Sequence, residues 1–292
     1  MKKNQGVIQR VNVFDWIIIG VLFVFTLLAA YPFVYTLAGS FNDGLDFEYG
    51  GIWLFPRSFT FANYQAVFSD SRLYVAFINT AAVTIVGVVL TLVFTSCVSY
   101  AMSQKKLRGK KFFWTTNLIT MFFGGGMVPY YILILEIGLY DNYLVYVLPG
   151  AYSVYNMIVM TSFFRNIDEG IRESALIDGA SEPRIWWSLY LPVSKPVLAT
   201  VGLWVAVARW NAYLPTLLYT SQDESMWMLQ YYLMRVIQAA RLEGVDDSFA
   251  GQVTVKTVSF AAIIIAVIPI FSVYPFITKY FTKGIMLGSI KG

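Results

Sequence analysis

Residues 173–192 read ESALIDGASEPRIWWSLYLP. Acids, an arginine, a glycine and two prolines stand here between two of the most apolar stretches of the chain. A polar, punctuated passage of this kind is a water-facing connection, so the apolar stretches flanking it are separate membrane spans. Good helix formers fill IRESALIDGA until Gly179, which acts as a breaker or a close-contact point. In SEPRIWWSLY, Ser181 is placed to cap and Pro183 suits a first helical turn. Two short helices are therefore expected, with Pro192 and Pro196 punctuating the way into the next span. Ala175 and Gly179 stand four apart, which predicts one shared helix face of small side chains flanked by Glu173 and Asp178. Such a face admits the close approach of a partner. A solvated amphipathic helix lying on the membrane fits the same residues.

The rest of the chain supplies the membrane. Of 292 residues, 58% are apolar and 13% charged, and the mean hydropathy is +0.61. Soluble domains hold about 45–50% apolar and about 25% charged residues. A hydrocarbon core of about 30 Å needs roughly 20 apolar helical residues. Stretches of that kind run over about Trp16–Leu37, Tyr74–Met102, Phe112–Leu135, Tyr143–Phe164, Val197–Tyr219 and Val258–Tyr280. The expected fold is all-α: a polytopic membrane protein with six transmembrane helices in a single domain over 1–292. The basic start MKKNQG precedes an apolar run longer than the about 7–15 residues of a signal-peptide core, so that run reads as a retained first span.

Basic residues set the orientation. Lys2, Lys3 and Arg10 precede the first span, and Lys105, Lys106, Arg108, Lys110 and Lys111 follow the second. Arg165, Arg172, Arg184 and Lys195 lie between the fourth and fifth, and Lys279, Lys283 and Lys291 end the chain. Both termini and the loop at about 165–195 are therefore expected on the cytoplasmic side. The longer segments at about 39–72 and 221–256 are expected outside, where most acids lie. Orientation accounts for KKLRGKK without nucleic-acid binding. The first external segment, with GGIWLFPRSFTFANYQAVF, suits partner binding or aromatic anchoring at the membrane surface. In the second, Met228, Tyr231, Tyr232 and Arg235 recur at helical spacing and predict an amphipathic helix.

Little enzyme chemistry is on offer. The chain has no histidine, and Cys97 is its single cysteine, so neither a disulfide nor a Cys-rich metal site forms within it. Cys97, set in TLVFTSCVSYAM, is expected as a packed small residue. Gly124-Gly125-Gly126 runs into Met127 with no lysine, so it is no phosphate loop; close helix packing or a hinge is expected. An ionisable group inside a span is a functional candidate by default. Arg209 is one, in VAVARWNAYLP, with Trp210, Asn211 and Tyr213 beside it. Aromatic faces stack on sugar rings, while Asn and Arg bind hydroxyls or carboxylates. Arg209 and Tyr213, four apart, are expected on one helix face, and Trp210 and Asn211 elsewhere. Arg209 either faces a pathway, which points to an acidic saccharide, or pairs with an acid or carbonyls of a neighbouring subunit. Asn79, Asn117 and Asn156, also within spans, bind a neighbouring helix or a sugar.

The pattern Glu173-x-Ala175-x-x-x-Gly179, followed by Leu191-Pro192, resembles the EAA signature of binding-protein-dependent ABC importer permeases, with Ser174 where that signature has alanine. The longer ESALIDGA…LYLPVSKPVLAT is similar to the carbohydrate-uptake branch. LFPRSFTFANYQAVF and NTAAVTIVGVVLTLVFTSCVSYAMSQKKLRGKK look like segments of maltose-type permeases. FFGGGMVPYYILILEIGLYDNYLVYVLPG and ARWNAYLPTLLY resemble a subgroup serving oligo- and polysaccharide uptake. The resemblance implies a type I ABC importer permease of the bacterial cytoplasmic (inner) membrane. It implies a second, homologous permease, a dimer of cytoplasmic ATPase subunits, an external solute-binding protein and a saccharide substrate as partners. It implies that Glu173, Ser174, Ala175, Asp178 and Gly179 dock on an ATPase, and that Leu191 and Pro192 shape the return to the membrane. ATP and Mg would be bound by the partner ATPases and no cofactor by this chain. A stand-alone secondary transporter or channel is the competing reading, but no internal repeat and no pair of intramembrane acids for ion coupling is visible. A membrane scaffold without transport is the third.

Overall fold

The computed structural model describes residues 12–242 and 253–288. Its helices are α1 (Val13–Ser40), α2 (Gly44–Glu48), α3 (Ala62–Ser69), α4 (Ser71–Ser103), α5 (Lys110–Phe122), α6 (Met127–Glu136), α7 (Val154–Phe164), α8 (Glu169–Ile177), α9 (Glu182–Val193, with a π turn at Trp186–Tyr190), α10 (Lys195–Trp210), α11 (Leu229–Leu242) and α12 (Val255–Gly288). No strand occurs among the described residues; Asn42 and Phe59 form an isolated bridge. The chain groups into two compact units. One takes the residues up to Ser69 with Ala239–Ile265, and the other takes Asp70–Gln238 with the chain from Ala266.

In the first unit, Asn12 and Asp15 form a capping box at the start of α1. At 28 residues, α1 is about 42 Å long, enough to cross a bilayer core. The segment after it is folded rather than loose. Asn42 Oδ1 accepts from the backbone N–H groups of Arg57 and Ser58 at 2.8 and 3.0 Å, and Arg57 pairs with Asp46 at 2.8 Å. Ala38, Phe47 and Ile52 pack with Tyr35 and Phe260. Asn63 reaches the carbonyls of Ser40 and Asn42 and accepts from Thr257. Tyr49, Trp53, Phe55, Phe59 and Phe61 remain exposed.

The second unit is built on α4. Its buried positions include Ala76, Thr80, Gly87, Thr91, Thr95 and Ser99, a seam of small residues at helical spacing. In lipid, helices gain little from the hydrophobic effect, and small side chains let them approach for van der Waals contact. Met160 of α7 and Val197, Val201 and Val205 of α10 pack there with Val88 and Leu92. At the other end, Asp70 caps α4 by accepting from Arg72 N–H at 2.9 Å and also accepts from the Tyr232 hydroxyl at 3.0 Å. Thr80 Oγ1 accepts the first N–H of α11, at Leu229. Asn79 Nδ2 donates to the carbonyls of Ser225 and Trp227. The amphipathic helix expected around Met228–Arg235 is α11: Met228, Tyr231 and Tyr232 are buried, and Arg235 lies outward over the Trp227 ring.

Several expected spans are not continuous helices. The third stretch is broken at Phe123–Gly126, and α5 and α6 meet at 113°. Gly126 takes φ +88°, and a Cβ added at Gly124 or Gly126 would meet no atom, so this glycine run makes a break and not a close packing seam within the chain. In the fourth stretch only α7 is α-helical, preceded by a 3-10 turn at Tyr143–Tyr146. In the fifth, α10 stops at Trp210 with Asn211 as C-cap, and a π turn follows at Thr216–Thr220. By length and composition, α1, α4 and Val255–Val273 of α12 can each cross a membrane, and the bent pairs α5–α6 and α9–α10 raise the count to five. Cys97 is exposed, not packed, because it falls beside rather than on the small-residue seam of α4. Lys2, Lys3, Arg10 and Lys291, used for orientation, lie outside the described residues, as does part of the second external segment.

Candidate functional site

Two places carry candidate residues, both in the second unit. The first is α8 and its exit. Asp168 caps the helix, accepting from Gly170 N–H at 2.9 Å. At the far end Ala180 N–H donates to Ala175 O at 2.9 Å and Gly179 N–H to Leu176 O at 3.0 Å. This is the paired 6→1 and 5→2 pattern of a Schellman motif, with Gly179 at the left-handed position, φ +80°. The Ala175-x-x-x-Gly179 spacing therefore ends a helix. It does not form one small-residue face, because Gly179 is already outside α8. Ala175 and Ala180 pack inward against Tyr100, Phe164, Ile185 and Tyr190. Glu173, Ser174, Asp178 and Gly179 are exposed, and Ile177 beside them is 86% exposed. Ala175 thus supports the surface from beneath, and Ile177, passed over in the sequence, sits on it.

Ser181 stands at the start of α9 but makes no side-chain cap bond; Pro183 lies in the first turn as expected. The helix runs on through Leu191 and Pro192, and Leu191 N–H reaches back to Trp186 O across the wider π turn. Pro192 has no N–H and its ring crowds the preceding turn, which a locally wider helix relieves. The corner itself comes next, an 84° bend between Val193 and Lys195, with Pro196 in the first turn of α10.

The second place is around Arg209, in the last turn of α10. Its guanidinium lies against broken backbone of the fourth stretch. Nη1 donates to Tyr146 O at 2.5 Å, and Nη2 to Gly150 O at 2.9 Å and to Val147 O and Thr91 Oγ1 at 3.3 Å each. Thr91 in turn donates to Gly150 O at 3.0 Å. Carbonyls that leave a helix at membrane depth need donors from the protein, since lipid offers none. Arg209 supplies them. Its partners are carbonyls of its own chain, and no acid lies within ion-pair distance of it among the described residues. Glycine at 87 is what admits the side chain: a Cβ there would sit 2.4 Å from Arg209 Nε.

Arg209 also lines a cavity of about 360 Å³ with Asn156, Tyr155 and Trp204. A neighbouring cavity of about 640 Å³ shares Ser153 and Tyr155 and includes Asn117 and Tyr152. Asn117 donates to Phe113 O and accepts from the Tyr152 hydroxyl at 2.5 Å. The Tyr155 and Trp204 rings stand 5.7 Å apart, both partly exposed. Trp210 is not among the lining residues: it is buried against Phe77 and donates to Ala266 O at 3.0 Å. Asn211 bonds Val207 O and Gln230 and closes α10. Tyr213 lies beyond the end of α10, so it shares no helix face with Arg209. The cavity instead gathers Trp204 with Ala208 and Val205 with Arg209, each pair four apart. Counting back four from Arg209 along the helix finds Val205; Trp204, five back, and Tyr152 and Tyr155 had no such signal.

Among the described residues, the several long apolar helices, the broken apolar stretches and the punctuated polar connector have the make-up of a multi-pass membrane protein. Residues 111–286 match the family described as binding-protein-dependent transport system inner membrane component, and the chain belongs to that family. It is 34% identical over 285 residues to the polygalacturonan/rhamnogalacturonan transport system permease protein YtcP of Bacillus subtilis (strain 168), covering 96% of this chain and 99% of that one. It is 35% identical over 263 residues to protein LplC of the same strain, covering 89% of each. Among solved structures, a chain of a bacterial ABC transporter involved in the import of the acidic polysaccharide alginate superposes with a TM-score of 0.85 at 33% identity, covering 92% of this chain and 96% of that one.

Proposed function

We propose that this chain is one permease half of a type I ABC importer for acidic oligosaccharides, such as oligomers of uronates. It would lie in the bacterial cytoplasmic membrane with six spans and both termini inside. The observation that carries the importer reading is the exposed end of α8: Glu173, Ser174, Ile177, Asp178 and Gly179 form a surface braced from beneath by Ala175. Such a surface suits docking on a cytoplasmic ATPase. ATP would be hydrolysed there, and a second permease and an external binding protein would complete the machine. The fourth span would consist of α7, about 16 Å long, extended by the irregular segment that Arg209 holds. The stand-alone transporter remains the less supported reading, since no acid pair for ion coupling stands in the described spans. Ile177→Asp places a charge on the docking surface. It is expected to abolish co-purification of the ATPase while the permease still inserts; full retention of the ATPase would refute the docking role.

The acidic substrate is supported by Arg209, a cation without a counter-ion among the described residues beside an aromatic-walled cavity. Carbonyl partners leave its full charge in place, and in a low-dielectric setting that charge favours an anion nearby. Two relatives carry acidic polysaccharides in their descriptions. In reconstituted importer, Arg209→Gln is expected to reduce uptake of a uronate oligomer more than that of a neutral oligosaccharide of equal length. Unchanged uptake of the uronate would sink the idea.

A further inference from the structure

α8 meets the rest of its unit through two kinds of contact. The apolar ones come from single methyl groups, Ala175 and Ala180, with Ile167 before the helix. Packed methyls resist compression, but their shallow attraction gives little resistance when a helix is pulled away or slid. The polar contacts are directional. Arg172 of α8 donates through Nη2 to Glu182 Oε1 and through Nε to Oε2, the latter at 3.3 Å, and the Tyr100 hydroxyl of α4 donates to the same Oε2. One carboxylate thus joins α4, α8 and α9. Lys105, just after α4, adds a bond of 2.5 Å to Glu169. Lys105 and Glu169 are 80% and 36% exposed and Arg172 and Glu182 16% and 45%, so solvent reaches both pairs and screens the lysine pair more.

We infer that Glu182 is a positioning residue, the link through which displacement of α8 is passed to α4. This rests on reading the α8 end as the ATPase-docking surface. When the ATPases close, α8 is pressed onto Tyr100 and Phe164. When they part, the Arg172–Glu182–Tyr100 bonds, with the more exposed Lys105–Glu169 pair beside them, keep α4 following. Because α4 carries the seam on which α7 and α10 pack, the link feeds the helices that wall the Arg209 cavity. Burial pushes the Glu182 carboxyl up, but the bonds from Arg172 and Tyr100 outweigh it and hold the group below the usual glutamate value of 4.5. It is therefore ionised at neutral pH.

The chain offers its own reporter. Cys97 is exposed and lines the same cavity of about 450 Å³ as Tyr100, Arg172 and Glu182. The experiment uses the full importer, with cysteine-free partners, in lipid vesicles. It measures uptake per ATP hydrolysed and the rate of Cys97 alkylation with and without trapped ATP. Glu182→Gln is expected to lower uptake per ATP by about fivefold or more, and to remove the ATP dependence of alkylation, with ATPase co-purification intact. Tyr100→Phe, which deletes only the hydroxyl, is expected to act in the same direction if Glu182→Gln fails to assemble. An assembled Glu182→Gln or Tyr100→Phe complex with wild-type uptake per ATP and wild-type alkylation would overturn the link and leave the docking surface standing. Full ATPase retention by Ile177→Asp would instead remove the docking reading on which it rests.

Discussion

Arg209 is held by geometry as much as by charge. Its fork reaches three carbonyls and a hydroxyl, an arrangement that a lysine cannot match. Arg209→Lys keeps the charge but not the fork, and is expected to cost at least about 2 kcal/mol, read as a lowered unfolding temperature in detergent. Gly87→Ala pushes on the same side chain from α4 and is expected to cost about 1–3 kcal/mol, although it removes no contact. Gly179 is the opposite case. No atom lies near its absent Cβ, so substitution there tests backbone alone. Gly179→Asn should be tolerated better than Gly179→Val, because asparagine visits the left-handed region and a β-branched residue does not. The unfolding temperature of the permease in detergent, without the ATPase, measures the difference. Much of this was hidden in the sequence. Every residue has a carbonyl, so nothing marks Tyr146 or Gly150 as the partner of an arginine some 60 positions away. The spacing of Ala175 and Gly179 was visible, but four apart describes both a shared face and the two sides of a helix stop.

Among elements, apolar length was a good guide where a helix stays whole and a poor one where it breaks. α1, α4 and α12 extend slightly beyond the stretches read from hydropathy. The breaks at Phe123–Gly126 and around Pro149–Gly150 interrupt no apolar run, so an average over hydropathy passes across them. Tertiary bonds repair the second break, and those bonds are absent from any local window. Helix α11 was legible because one face is buried and repeats at helical spacing. Its anchorage was not: Thr80 and Asp70 of the α4 region hold it. Asp70→Ala removes the cap of α4 and the partner of Tyr232 together. It is expected to destabilise the unit by about 1–2 kcal/mol, with faster amide exchange at the start of both α4 and α11. Exchange that quickens in α4 alone would show that the Tyr232 bond contributes nothing.

At the scale of the whole molecule, the chain holds a candidate cavity and a candidate docking surface, joined by α4 and α10. It offers no phosphate loop for using ATP itself, so the account makes it a passive part moved by others. That claim is tested most directly in vesicles containing the chain, its second permease and the ATPases, with and without the binding protein, by following a labelled uronate oligomer. The account predicts uptake only when ATP, the ATPases and the binding protein are all present. Uptake by this chain alone, without ATP, would contradict it.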